Sequence, residues 1–244
     1  MSQQNDEGKR AARERLREQR VQDRAARKRG RSLRMAGVVV ALLAIAGGVA
    51  ALAARQGGGD DTADAKPIAV GKRGAPAKLT VYEDFRCPAC GQFEQEFRST
   101  IRDLEKRGKL KAEYHLVTII DDNVGGNGSR KAANAAACAR DAGKFREYHD
   151  VLYWNQPEEQ TDEFASTKTL LKLAGKVDGL DSARFRKCVT DGKHNAWVTK
   201  TAEAFEKSGH HATPTVLLDG KSVYGSQTRP LTPQKLRQKV ERKA

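Results

Sequence analysis

Two cysteines three positions apart, Cys87 and Cys90 in the run Phe85-Arg-Cys-Pro-Ala-Cys90, are the residues whose type and spacing most directly suggest chemistry. Two chemistries use that spacing. One is thiol–disulfide exchange, which needs a thiolate and a second thiol close enough to close a small ring with it. The other is half of a zinc site, which needs a second close pair of ligands. The other two cysteines, Cys138 and Cys188, stand 50 positions apart and make no such pair in sequence. Compartment also matters. Four cysteines in an exported chain suggest two disulfides, whereas in a cytosolic chain they suggest a metal or redox site.

The elements around the pair favour exchange. Leu79-Thr-Val-Tyr82 is a short β-type run that ends at Glu83-Asp84-Phe85. Beyond Cys90, Phe93, Phe97 and Ile101 recur at helical spacing. The pair therefore falls at a strand-to-helix junction, with Cys87 at or just before the first turn. Unpaired N–H groups and the helix dipole favour an anion there. Pro88 suits a first turn, where its missing N–H has no partner to lose. Cys87 is thus the expected attacking nucleophile and Cys90 the resolving thiol, with a mixed disulfide between Cys87 and the client in the reaction path.

Export is read from the N-terminal third. Residues 35–54 form an uncharged run of 20 residues, long enough as a helix to cross about 30 Å of bilayer core. The basic tail before it, residues 1–34, holds 12 Lys/Arg against 5 Asp/Glu, half of the net charge of +14 over the 244 residues. The positive-inside rule then keeps that tail in the cytoplasm and sends the rest outside. A cleaved signal peptide is the competing reading, and it exports the same segment. The tail reads as a topology signal with affinity for anionic lipid, and no nucleic-acid partner is expected. Residues 55–77, rich in Gly, Asp, Ala and Pro, read as a flexible linker, with the globular domain starting at Lys78.

Within 78–244 the pattern predicts a second strand over Leu110–Ile120, then a mostly helical stretch over about 129–207. Thr213-Pro-Thr-Val-Leu-Leu218 reads as a strand, Asp219-Gly220 as a hairpin turn, and Ser222–Tyr224 as the return strand. Thr232-Pro233 opens a final helix. The order β–α–β, a helical block, then β–β–α places the domain in the α/β class. Pro214 at the start of a core strand is unusual, an edge strand being the ordinary place for it. Tyr148, Tyr153 and Trp154 suit either a client groove or an apolar face of the helical stretch. His115 reads as structural. His210 and His211 read as loop residues that could also tune a thiolate. No metal cluster or phosphate loop stands out.

Several runs together resemble the DsbA-like thiol–disulfide oxidoreductases, in particular their membrane-tethered Gram-positive and actinobacterial branch. They are Glu83-Asp-Phe-Arg-Cys-Pro-Ala-Cys-Gly-Gln-Phe93, Lys131-Ala-Ala-Asn-Ala-Ala-Ala-Cys-Ala139, Lys144-Phe-Arg-Glu-Tyr-His-Asp-Val-Leu152 with Asn155-Gln-Pro-Glu158, Phe185-Arg-Lys-Cys-Val189, and Thr213-Pro-Thr-Val216. The resemblance covers about residues 66–242. It implies a thioredoxin fold with an all-helical insertion, preceded here by a single transmembrane helix. It implies that Pro214 is a cis-proline facing the cysteines, so that Pro88, Ala89, Thr213 and Pro214 meet the client. It also implies a structural disulfide between Cys138 and Cys188, worth about 4 kcal/mol in the chain-entropy model. Partners would be reduced exported proteins and a membrane re-oxidase of the DsbB or VKOR kind. No cofactor beyond the Cys87–Cys90 disulfide is expected, and the protein is expected to be a monomer.

Two departures from the family pattern stand out. An acidic residue common six positions before the first cysteine is Val81 here, with Glu83 and Asp84 nearer. The dipeptide between the cysteines is Pro-Ala rather than Pro-His, which predicts a milder oxidant. Three functions compete: a dithiol oxidase for exported proteins, a reductase or isomerase on the same fold, and a non-catalytic adaptor. The intact cysteine pair and Thr213-Pro214 argue against the last.

Overall fold

A computed structural model describes residues 65–243. The basic tail, the apolar run 35–54 and the first part of the expected linker, residues 55–64, lie outside the described residues. Among the described residues, no helix is long and apolar enough to cross a membrane.

The chain runs through β1 (Ile68–Gly71), β2 (Ala77–Glu83), α1 (Pro88–Lys106), β3 (Leu110–Leu116), α2 (Ile119–Val124), α3 (Gly128–Asp141) and α4 (Phe145–Trp154). A 3-10 turn (Glu163–Ala165) leads to α5 (Thr167–Ala174), α6 (Ala183–Thr190) and α7 (Asn195–Lys207). The chain closes with β4 (Thr215–Leu218), β5 (Lys221–Ser222) and α8 (Pro233–Glu241). The five strands lie in the order β1-β3-β2-β4-β5. β2 and β3 are parallel, joined by the α1 crossover, and the other neighbours are antiparallel. This is the α/β, thioredoxin-like architecture with an inserted helical block.

β2 occupies the centre, and Leu79, Val81 and Glu83 on it are all fully buried. β3 alternates, burying Leu110, Ala112, Tyr114 and Leu116. α1 turns Phe93, Phe97, Ile101 and Leu104 into the core, each fully buried. Phe93 stacks on Phe97 at 4.8 Å, and Tyr224 meets Phe93 edge-on at 5.1 Å. Burying such a side chain contributes about 1.5–3 kcal/mol, so this stripe fixes α1 on the sheet. The hairpin between β4 and β5 turns at Asp219 (φ 50°) and Gly220 (φ 79°), a left-handed pair that Asp-Gly tolerates.

Three sequence expectations are corrected. The linker does not extend to residue 77, nor does the domain begin at Lys78. Ile68–Gly71 forms β1, which pairs with β3, and the Trp197 indole N–H donates to the Lys66 carbonyl at 3.0 Å. A four-residue edge strand has too short a pattern to stand out beside Gly- and Pro-rich sequence. The second strand stops at Leu116 rather than Ile120, because the Asp84 carboxylate accepts the Ile120 N–H at 2.9 Å and starts α2. The return strand is Lys221–Ser222 rather than Ser222–Tyr224; the Tyr224 ring turns instead onto α1.

Candidate functional site

Cys87 is the N-cap residue of α1, with extended backbone (φ −74°, ψ 117°), and Pro88 opens the helix. Its carbonyl accepts the N–H groups of Cys90 and Gly91, both at 3.1 Å. Its Sγ lies 3.4 Å from the Thr213 carbonyl oxygen, to which the thiol donates. The Thr213-Pro214 peptide bond is cis. Pro88 and Ala89 are exposed, and Thr213 and Pro214 half-buried. The structure thus brings Cys87, Cys90, Pro88, Ala89, Thr213 and Pro214 to one end of the sheet. Cys138 and Cys188 are joined elsewhere, in a disulfide between α3 and α6.

Cys87 and Cys90 are both free thiols here, in unlike surroundings. Cys87 has its pKa lowered to about 6. A hydrogen bond from the Cys90 thiol is the main cause; burial opposes it, while Thr213 and the backbone N–H groups of Cys90 and Ala89 reinforce it. Burial is the main reason that the Cys90 thiol is pushed well above its ordinary value, and the nearby Cys87 and Glu83 add to it. One thiol is therefore ionised near neutrality and the other is not. Near-ultraviolet thiolate absorbance of the reduced protein is expected to rise with a midpoint near pH 6 and to lose that step in Cys87→Ser. The sign follows from the lowered value: the stabilisation of the dithiol form is lost as pH falls through about 6. A single step near pH 9 overturns this assignment.

Beneath Cys90 lies a buried polar group. The Glu83 carboxylate pairs with His149 Nε2 at 2.8 Å, and both are fully buried. Glu94 is also buried, with neither carboxylate oxygen hydrogen-bonded to protein. Burial raises the Glu94 pKa; His149 is raised too, because Glu83 and Glu94 outweigh its burial. These three side chains could hold a metal ion. With no ion bound, the raised Glu94 value favours a proton on its carboxyl. Val81 is buried apolar core, and the acids of this region come from Glu83, Asp84 and Glu94.

Two positioning residues escaped the sequence reading. Gln156 donates from Nε2 to the carbonyls of Phe85 and Cys87, both at 2.9 Å. Gly91 makes room for it: a Cβ there would sit 2.2 Å from Gln156 Oε1. Gly91→Ala is expected to displace the Gln156 amide from its two carbonyls and to destabilise the reduced protein by about 1 kcal/mol in denaturant unfolding, the two lost hydrogen bonds being partly offset by the better helix propensity of alanine. An unchanged midpoint overturns that. Arg86, beside Cys87, is 1% exposed and donates to Asp121, Gly125 and Glu159. The only sequence signal for either was its presence in runs carrying the family resemblance.

The candidate aromatics divide. Tyr148 and Tyr153 are buried in the insertion face, Tyr148 donating to the Leu170 carbonyl at 2.9 Å. Trp154 is 67% exposed, with the Arg98 guanidinium 5.2 Å from its ring. His115 stacks on Tyr82 at 4.4 Å, and burial lowers its pKa to about 4. His210 and His211, with Val117, Ile119 and Phe205, line a cavity of about 250 Å³ next to the Thr213 loop.

Residues 63–242 match the family described as thioredoxin. The Salinispora tropica protein named Na(+)/H(+) antiporter NhaA 3 is 30% identical over 155 residues, 64% of this chain. The chain spans only 22% of that relative's length. Disulfide bond formation protein D of Bacillus subtilis is 24% identical over 176 residues, covering 68% of this chain and 72% of that protein. The crystal structure of oxidized DsbA from Mycobacterium tuberculosis superposes with a TM-score of 0.62 at 30% identity, covering 72% of this chain and 91% of that one.

Proposed function

This chain belongs to the thioredoxin family, and we propose that it is an extracytoplasmic thiol–disulfide oxidoreductase that introduces disulfides into exported proteins. The observation that carries this is the division of labour in the cysteine pair. Cys87 is a low-pKa thiol at a helix N-terminus against the Thr213 carbonyl, and Cys90 is a buried high-pKa thiol behind it. Stabilising the Cys87 thiolate favours the dithiol form, so the matching disulfide is an oxidant.

In the oxidising direction, a client thiolate attacks Cys87 Sγ of the Cys87–Cys90 disulfide. The S–S bond breaks, and Cys90 leaves as a thiolate and takes up a proton. A second client thiolate then attacks the client sulfur of the mixed disulfide, and Cys87 leaves as a thiolate. The client loses two electrons and two thiol protons, and the pair is left reduced. Pro88, Ala89, Thr213 and Pro214 form the surface a client backbone would meet, with the cavity beside His210 and His211 as a place for one of its side chains. The two electrons would pass on to a membrane re-oxidase of the DsbB or VKOR kind, and no cofactor beyond the cysteine pair is called for. The apolar run 35–54, behind its basic tail, would tether the domain to the membrane. Names of relatives such as disulfide bond formation protein D support the reading.

The test is the redox potential of the Cys87/Cys90 couple against a glutathione buffer. A value between about −120 and −200 mV is expected, and one near about −270 mV would make the protein a reductant.

A further inference from the structure

The second cysteine pair sits in a setting that fits another chemistry. Cys138 is on α3, Cys188 on α6, and His194 caps the start of α7. Widely spaced in sequence, they converge in the fold: the two Sγ atoms and a ring nitrogen of His194 lie within 4.8 Å of one another. Asp141, less than one turn beyond Cys138, pairs with His194 Nε2 at 2.8 Å. A cavity of about 330 Å³ opens onto Cys138, Cys188 and Asp141, so the cysteine side of the group faces open space, with His194 behind it.

We propose that, once the Cys138–Cys188 bond is reduced, the two sulfurs and His194 hold a Zn²⁺ ion, with Asp141 supporting the imidazole. Two thiolates and one histidine are a common zinc donor set, and a carboxylate beside the ligating imidazole orients it and raises its basicity. The cavity leaves room for a water as fourth ligand. Zinc bonds of about 2.3 Å to each sulfur require the sulfurs to part to about 3.8 Å. The Cα atoms are 5.9 Å apart, which leaves that opening to side-chain rotation.

The disulfide and the metal site are mutually exclusive states of one cluster, and either one ties α3 to α6. The interchange balances. A dithiol donor passes two electrons and two protons to the Cys138–Cys188 bond and leaves as its own disulfide. Zn²⁺ then displaces both thiol protons to solvent. The insertion would thus keep a cross-link under reducing conditions.

The test uses the full chain carrying Cys87→Ser and Cys90→Ser, so that only the second pair can offer thiolates and the outcome is independent of the exchange proposed above. A phosphine reduces the disulfide, taking oxygen from a water whose two hydrogens end on the thiols. Co²⁺ is then titrated as a spectroscopic stand-in for Zn²⁺. The expected result is one Co²⁺ per chain, with sulfur-to-cobalt charge-transfer bands and the visible absorption of tetrahedral cobalt, both removed by added Zn²⁺ and absent from the oxidised protein. His194→Ala, its fold checked by far-ultraviolet circular dichroism in the oxidised state, is expected to weaken binding at least about tenfold. Asp141→Asn is an independent arm, expected to weaken it about tenfold. No cobalt uptake by the reduced protein, or affinity unchanged in either variant, overturns the site.

Discussion

A Cys87→Ala variant is expected to exchange disulfides no faster than the uncatalysed reaction, whichever way the client is poised. The loss is complete because Cys90 cannot take over. Cys90 Sγ lies inside the core, the residue having no exposed surface, and its thiol is pushed well above the ordinary value. Cys87, with a value of about 6 rather than 9.0, is about nine-tenths ionised at pH 7, against about one-hundredth for an unperturbed thiol. In the reducing direction the attacking thiolate therefore disappears with it, and in the oxidising direction no Cys87–Cys90 disulfide remains for a client thiolate to attack. Cys90→Ala gives a different result. It keeps the nucleophile and removes the thiol that would resolve the adduct. Given a client that already carries a disulfide, it should accumulate a one-to-one mixed disulfide through Cys87, visible as a shifted band on a non-reducing gel and released by reductant. A Cys87→Ala protein that still oxidises a reduced client sinks the catalytic assignment.

What the sequence showed of this site was its local part. The strand-to-helix junction, Pro88 in the first turn and the Phe93, Phe97, Ile101 stripe are set by residues close in sequence, and periodicity reports them directly. The sequence hid whatever depends on distant segments. Arg86 meets Asp121 and Glu159, 35 and 73 positions on, and Gln156 reaches back 71 positions to Phe85. Nothing in the local pattern marks an arginine beside a cysteine as buried. The acid under the site shows the same limit. Val81 at the expected position suggested a missing charge, yet Glu83 on the same strand turns inward because His149 from α4 is there to pair with it. The end of β3 was misplaced for a like reason, since a carboxylate from another loop, Asp84, starts α2. The apolar pattern over 110–120 continues past the point where hydrogen bonding changes.

Arg86→Ala is expected to destabilise the folded domain by about 3–5 kcal/mol, the range for removing one partner of a buried ion pair. The guanidinium is 1% exposed and the Asp121 side chain 6%, so both charges have left water and depend on each other. Nη1 donates to Asp121 at 2.7 Å and to the Gly125 carbonyl at 2.8 Å, and Nη2 to the Glu159 carbonyl at 2.9 Å. Asp162, 3.2 Å from the same Nη1, accepts the N–H groups of Asn127 and Gly128. One side chain therefore holds the residue before Cys87 to α2, to the start of α3 and to the segment that carries Gln156. Alanine leaves two carbonyls without their donor, and leaves the buried Asp121 carboxylate without its counter-charge, held only by the N–H groups of Ser129 and Arg130. Arg86→Lys should recover only part of the loss, because a single ammonium cannot span Asp121, Gly125 and Glu159 at once as the planar fork does. Chemical denaturation of the three proteins, all with Cys138–Cys188 intact, measures this. A loss under about 1 kcal/mol for Arg86→Ala would mean that the cluster is solvated and its pairing weak. If the loss is large, the Cys87 thiolate midpoint should move in the same variant, because the loop that presents the nucleophile is anchored through the residue beside it.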